Sequence, residues 1–179
     1  MGDGIGGCID DYNNDDYLDL YVIDYGNNVL YKSKGNSIFV DVTDQANVGD
    51  SRWGSNCAFA DYDNDGDLDL YVTNYVQFDF EKHKTCRFND VETYCQPQDF
   101  QGESDLLYQN NGNGTFTNVT REAGVYNSRG RRLGVVWGDL TTPQTPISLS
   151  RMTPTTTISI KIMVTANLQM LLSTRGHTG

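Results

Sequence analysis

The sequence predicts an all-β protein: a partial β-propeller of four-stranded antiparallel blades, with about two blades and the start of a third. Three observations carry that reading. A long stretch repeats after fifty residues, the repeated stretch alternates apolar and polar positions, and Asn/Gly-rich turns recur between the apolar runs.

The repeat is read directly. Asp11-Tyr12-Asn13-Asn14-Asp15-Asp16-Tyr17-Leu18-Asp19-Leu20-Tyr21-Val22 returns as Asp61-Tyr62-Asp63-Asn64-Asp65-Gly66-Asp67-Leu68-Asp69-Leu70-Tyr71-Val72. A second pair follows: Val29-Leu30-Tyr31 then Phe39-Val40-Asp41-Val42-Thr43, and Leu106-Leu107-Tyr108 then Phe116-Thr117-Asn118-Val119-Thr120. Similar tails close both, Gln45-Ala46-Asn47-Val48 and Glu122-Ala123-Gly124-Val125. Gly134-Val135-Val136-Trp137-Gly138-Asp139 parallels Asn56-Cys57-Ala58-Phe59-Ala60-Asp61 and opens a third unit.

Leu68, Leu70 and Val72 alternate with Asp69, Tyr71 and Thr73, the period of a half-buried strand. Asn110-Asn111-Gly112-Asn113-Gly114 is a turn, because Asn and Gly tolerate the positive φ of tight hairpins. Each unit therefore reads strand, acidic loop, strand, connection, strand, turn, strand, which is a propeller blade. The first blade takes residues 1–50 and the second residues 51–133, with an insertion at 77–104. A third blade begins at 134–140. No segment carries helical periodicity over three turns.

The acidic loops are the candidate metal sites. Five carboxylates in nine residues, Asp61 to Asp69, repel one another unless a cation lies among them. Calcium takes six to eight hard oxygens in a flexible geometry. The expected ligands of the second loop are Asp61, Asp63, Asp65, the Asp67 carbonyl and Asp69, with Gly66 allowing the sharp turn. Those of the first are Asp11, Asn13, Asp15, the Tyr17 carbonyl and Asp19. Asp16 stands where the second loop has Gly66; Asp visits the left-handed region more readily than most residues, yet the first loop should be the weaker. An EF-hand needs a Glu at position 12 followed by a helix, whereas position 12 is Val22 or Val72 within a β pattern. Magnesium prefers fewer protein ligands and more water. A plain polar turn does not need carboxylates at alternate positions twice over.

These residues resemble FG-GAP repeats of the VCBS type, the calcium-loop repeats also found in integrin α-chain propellers. The combination of Leu107-Tyr108-Gln109-Asn110-Asn111-Gly112-Asn113-Gly114-Thr115-Phe116 with Tyr94-Cys95-Gln96-Pro97, Asp105-Leu106-Leu107-Tyr108 and Glu122-Ala123-Gly124-Val125 resembles the ASPIC/UnbV (cartilage acidic protein-like) family more narrowly. The resemblance spans about residues 2–140 and lacks the C-terminal ASPIC/UnbV module. It implies an exported propeller, extracellular, periplasmic or at the cell surface, whose loops bind calcium and whose surfaces serve adhesion or recognition.

Composition agrees with a binding module and excludes other classes. The net charge of −11 argues against nucleic-acid binding, which needs clustered Lys and Arg. No apolar run reaches the roughly 18–20 residues of a membrane-spanning helix. The start, Met1-Gly2-Asp3-Gly4-Ile5-Gly6, has no secretory signal and reads as the middle of a domain. Cys86 and Cys95 bracket a short polar loop and are expected to form a disulfide, the alternative being free thiols. Cys8 and Cys57, just before the acidic loops, are expected to be buried free thiols.

Catalytic constellations are missing from the sequence. His83 and His177 are the only histidines, and His83 reads as a solvated loop residue beside Lys82 and Lys84. Trp53, Trp137 and the tyrosines read as blade packing, the sharper alternative being a sugar-binding face. Arg129, Arg131 and Arg132 read as a solvated loop between blades. The expected function is calcium-supported recognition of a protein or glycan, without catalysis; the alternative is a propeller fragment of a hydrolase or lyase in which calcium is structural.

Residues 141–179 break the pattern. They hold ten Thr, three basic residues, no acid and no aromatic, whereas residues 1–140 hold 24 acids against 10 basic residues. The tail reads either as a disordered low-complexity segment or as an out-of-frame translation that begins just after Asp139. A one-base shift permits Asn-Asp-Ala-Asp-Asn-Asn-Tyr-Leu-Tyr-Gln-Asn-Asn-Gly-Asp over Met152 to Thr165, the pattern of a third blade. In the frame as given the third loop gains no carboxylates after Asp139, so no site is expected there.

Overall fold

The computed structural model of the protein describes residues 4–82 and 84–137. The expectations for residues 1–3, His83, Asp139, the tail from 141 and His177 lie outside the described residues.

The first blade is a meander of β1 (Gly6–Asp10), β2 (Asp19–Ile23), β3 (Val29–Ser33) and β4 (Phe39–Asp41), paired antiparallel in that order. The second is built from β5 (Gly54–Ala60), β6 (Asp69–Asn74), β9 (Leu106–Asn110) and β10 (Phe116–Asn118), again antiparallel in chain order. Between β6 and β9 an insertion carries a ribbon of β7 (Cys86–Phe88) and β8 (Val91–Thr93), then a short 3₁₀ turn, Pro97–Asp99. The ribbon turns through Asn89 and Asp90, both at positive φ (49° and 64°), the two left-handed positions that a tight two-residue hairpin requires. The one α-helical turn among the described residues, Thr43–Ala46, follows the first blade.

The repeated tails close each blade by the same hydrogen bonds. Thr43 Oγ1 accepts from the Leu30 backbone N–H at 2.9 Å, and Thr120 Oγ1 from that of Leu107 at 3.0 Å. Each threonine is in turn oriented by the acid or amide two residues before it, Asp41 or Asn118. Asn47 (φ 60°) and Gly124 (φ 69°) occupy matching left-handed positions at the ends of the tails. Asn can hold that conformation and Gly holds it without strain, so the repeat tolerates the exchange.

The main core lies between the blades. Tyr21, Ile23, Leu30, Ala46 and Val48 of the first blade meet Cys57, Leu70, Val72, Leu106, Tyr108 and Phe116 of the second. Burying a Leu or Ile side chain fully is worth about 1.5–3 kcal/mol, so this contact is the main apolar reason for the two blades to associate. Alternation in β6 implies one solvated face, but all six of its residues are buried. Leu70 and Val72 face the first blade. Tyr71 lies on the other side with Leu107 and Val125, and there Val135 and Trp137 pack over it. These two stand at the places of Cys57 and Phe59 in the repeat. The Trp137 ring meets Tyr71 edge-on at 5.9 Å. The segment therefore approaches the second blade much as β5 approaches the first, although residues 134–137 are not in a strand.

Two further expectations fail. Cys8 and Cys57 are not free thiols: they form a disulfide, with Cα atoms 5.7 Å apart. Cys8 on β1 and Cys57 on β5 lie far apart in sequence, and only the packing of β5 beside β1 brings them together. Arg132 is also not solvated. It is 6% exposed, with its guanidinium on Asp105 at 2.6 Å, because a buried carboxylate at the root of β9 demands a counter-charge. Cys86 and Cys95 form the expected disulfide. Among the described residues no helix is long and apolar enough to cross a membrane.

Candidate metal centre

Both acidic loops sit at the same place in their blades, connecting β1 to β2 and β5 to β6. The last acid of each begins the second strand: Asp19 pairs with Asp10 across β1–β2, and Asp69 with Ala60 across β5–β6. Each is fully buried and fixed by the third strand. Asp19 accepts from the Ser33 N–H at 2.7 Å and Asp69 from the Asn110 N–H at 2.8 Å. One carboxylate oxygen of the ninth position is thus committed to the blade, and the other turns back into the loop, to the Asn13 amide at 2.6 Å or the Tyr62 N–H at 2.9 Å.

The first acid shapes the turn. Asp61 accepts from the N–H groups of Asn64, Asp65 and Gly66 at 2.6, 3.2 and 3.1 Å. Asp11 accepts from those of Asp15 and Asp16 at 3.0 and 2.8 Å. Asn14 and Asn64 at position 4 take φ of 56° and 63°, and position 6 takes φ of 66° at Asp16 and 93° at Gly66. Asp16 therefore adopts the left-handed conformation that the sequence requires of it. Position 7 sends its side chain away from the loop. Asp67 accepts from the Asn14 amide of the neighbouring blade at 2.9 Å, while the Tyr17 ring lies over Gly35.

The loops differ in the charge they hold. In the second, carboxylate oxygens of Asp61, Asp63 and Asp65 lie within 4.8 Å of one another. Ligands at 2.3–2.6 Å from one ion stand no more than about 5 Å apart, so that spacing fits a shared calcium. Burial pushes the Asp69 carboxyl up to about 7, and the charges of Asp63 and Asp65 add to the shift. In the first, the Lys32 ammonium enters the loop, 3.0 Å from Asp15 and 3.3 Å from the side-chain Oδ1 of Asn13, to which it donates. Burial raises the Asp19 carboxyl too, and Asp15 and Asp11 add to the shift, but the Lys32 charge opposes it. The repeat places neutral Gln109 where the first blade has Lys32, and Gln109 donates to Asp63 at 2.6 Å. Sequence reasoning missed Lys32; aligning β3 with β9 residue by residue exposes it.

The loops are also joined. The Asn110 side-chain amide donates to the Tyr12 carbonyl at 2.8 Å and to the Leu68 carbonyl at 3.0 Å, one in each loop. The Tyr12 ring packs near Phe59 and Phe116 of the second blade at 6.4 and 5.5 Å. Oxygen ligands in alternation, a buried ninth carboxylate and a loop shaped by backbone N–H groups form a donor set suited to a hard divalent cation.

Residues 11–72, from the first acid of one loop to the strand that follows the other, match the family model of the FG-GAP-like repeat. No curated protein matches the chain. The match supports the broader resemblance and not the narrower ASPIC/UnbV one. FG-GAP repeats form propellers, in agreement with the four-stranded blades, so the chain carries an FG-GAP-like repeat that takes in both acidic loops.

Proposed function

We propose that this chain is a calcium-braced propeller segment of an exported protein that serves adhesion or recognition of a protein or glycan, without catalysis. The observation that carries the metal reading is the convergence of Asp61, Asp63 and Asp65 beside the buried Asp69. A calcium ion held there supplies the positive charge that the cluster otherwise lacks. The chain itself fixes Asp69 through Asn110 and Asp61 through three loop N–H groups, so the donors are oriented before an ion arrives. Two disulfides support an oxidising compartment outside the cytosol. The non-catalytic part of the reading comes from assigning the clustered acids to the metal, which leaves them no role as a catalytic pair.

Thermal unfolding with and without calcium tests this. Calcium at about a hundredfold excess over its dissociation constant is expected to raise Tm by about 5–10 °C, and EDTA to reverse it. Asp65→Ala should remove most of the effect. Asn64→Gly should keep it, since position 4 needs only the left-handed conformation. Folded protein with no calcium shift would sink the metal assignment.

A further inference from the structure

At the opposite end of the strands from the acidic loops lies an open cleft of about 350 Å³, lined by Tyr25, Trp53, Val76 and Phe78 together with Arg52 and Glu103. Ser51, Gln77 and Asp79 complete its rim. Tyr25 follows β2 and Trp53 precedes β5, so the cavity straddles the two blades; the two residues form an isolated β-bridge. The rings are fixed edge-to-face: Trp53 stands 5.6 Å from Tyr25, 5.5 Å from Tyr75 and 5.4 Å from Phe78. Tyr25 is held further by its hydroxyl, which donates to the Phe78 carbonyl at 2.8 Å. Arg52 lies 3.7 Å from both Asp50 and Glu103, which sets its guanidinium in place along the wall.

We propose that this cavity binds a neutral hexose residue of a glycan, a step that rests on the recognition reading above and specifies its ligand. An aromatic floor supplies apolar area for the C–H face of a sugar ring, and rigid rings lose little entropy on binding. The rim offers both donors and acceptors: the Arg52 guanidinium, the Gln77 amide, the Ser51 hydroxyl, and the Asp79 and Glu103 carboxylates. A polyol uses both kinds, and each good pairing fixes orientation. Each charge at the site already has an opposite partner, Arg52 with Asp50 and Glu103 and Asp79 with Lys82 at 3.5 Å, so no unpaired charge singles out an ionic ligand. The volume is at the lower end of the range for small-molecule sites, enough for a terminal or single internal residue rather than a long chain. Asp19 and Tyr25 are separated by six residues of extended chain, about 20 Å, so the sugar cavity and the metal loops are separate sites on one scaffold.

The test is titration of the full chain with maltotriose, cellotriose, mannotriose and triacetylchitotriose, followed by tryptophan fluorescence and by ligand-observed NMR. At least one trisaccharide is expected to bind in the millimolar range and to perturb Trp53 emission. Glu103→Gln and Gln77→Ala, both at the lining of the site, should weaken it at least fivefold, and Trp53→Phe should remove the fluorescence response. Each variant must keep the wild-type circular dichroism spectrum. Binding unchanged in Glu103→Gln and Gln77→Ala overturns the site. So does a failure of all four sugars to bind, or binding of tetramethylammonium or a lysine peptide in their place. A calcium shift in Tm without sugar binding refutes this inference and leaves the calcium reading standing; sugar binding without a calcium shift does the reverse.

Discussion

Lys32→Gln is expected to tighten calcium binding at the first loop by about 5- to 30-fold. The side chain that the substitution removes lies 3.0 Å from Asp15 and faces the Asn13 oxygen, so calcium must displace it. Both partners of that pair are about one-third exposed, which limits its worth to about 0.2–1 kcal/mol. Once displaced to about 8 Å, the ammonium still repels a divalent ion by about 1 kcal/mol in water before salt screening. The sum, about 1–2 kcal/mol, gives the stated factor. Glutamine is the natural substitute because the second blade already has Gln109 there, hydrogen-bonded to Asp63. The assay is isothermal titration calorimetry at low ionic strength in an Asp65→Ala background, where only the first loop titrates. The gain should shrink as salt is added. Affinity that changes by less than twofold, or that falls, refutes the view of Lys32 as a resident cation.

Two further outcomes follow from the same geometry. Folded Asp69 keeps its proton up to about pH 7, whereas an unfolded Asp releases it near pH 4. Its stabilising contribution in metal-free protein is therefore complete below pH 4 and lost as pH rises through about 7. Metal-free Tm should fall from pH 5 to pH 8 more in wild type than in Asp69→Asn, and calcium should affect wild type most at the upper end, where the carboxylate is ionised. Identical metal-free curves for the two proteins would contradict this. The Cys8–Cys57 disulfide closes 49 residues, worth about 4 kcal/mol by chain entropy and commonly about 2–4 in practice. Cys8→Ala with Cys57→Ala should lower denaturant-unfolding stability by that amount, and more than loss of the Cys86–Cys95 disulfide, which closes only nine. Equal losses would argue that the cross-blade disulfide constrains little.

The repeat made the blades legible. Asp11–Val22 and Asp61–Val72 placed two loops and two strands, and the Asn/Gly turn placed the hairpin of β9 and β10. Local rules suffice there, because a turn and a period-two strand are set by neighbouring residues. What escaped were features that depend on which blade lies beside which. Cys8 meets Cys57 only after β5 packs on β1. Arg132 is buried only because Asp105 lies beneath it. The first loop read as the weaker only through Asp16; the competing charge showed once β3 brought Lys32 across to its acids. The aromatic cavity likewise draws on Tyr25, Trp53 and Phe78 from three connections, none of which forms a motif by itself.

The Cys8–Cys57 disulfide also bears on the adhesion role proposed above, in which the chain would be placed under tension. A pull applied along the chain meets a covalent shortcut from β1 to β5. The chain between the cysteines, about 170 Å when drawn out, is withheld from extension until sulfur chemistry intervenes. Force entering ahead of the first blade would pass straight to the second, sparing the first acidic loop and the connection that leads to Trp53. Such a shunt would let the pair of blades lengthen little while still transmitting load, the behaviour of a tether rather than a spring.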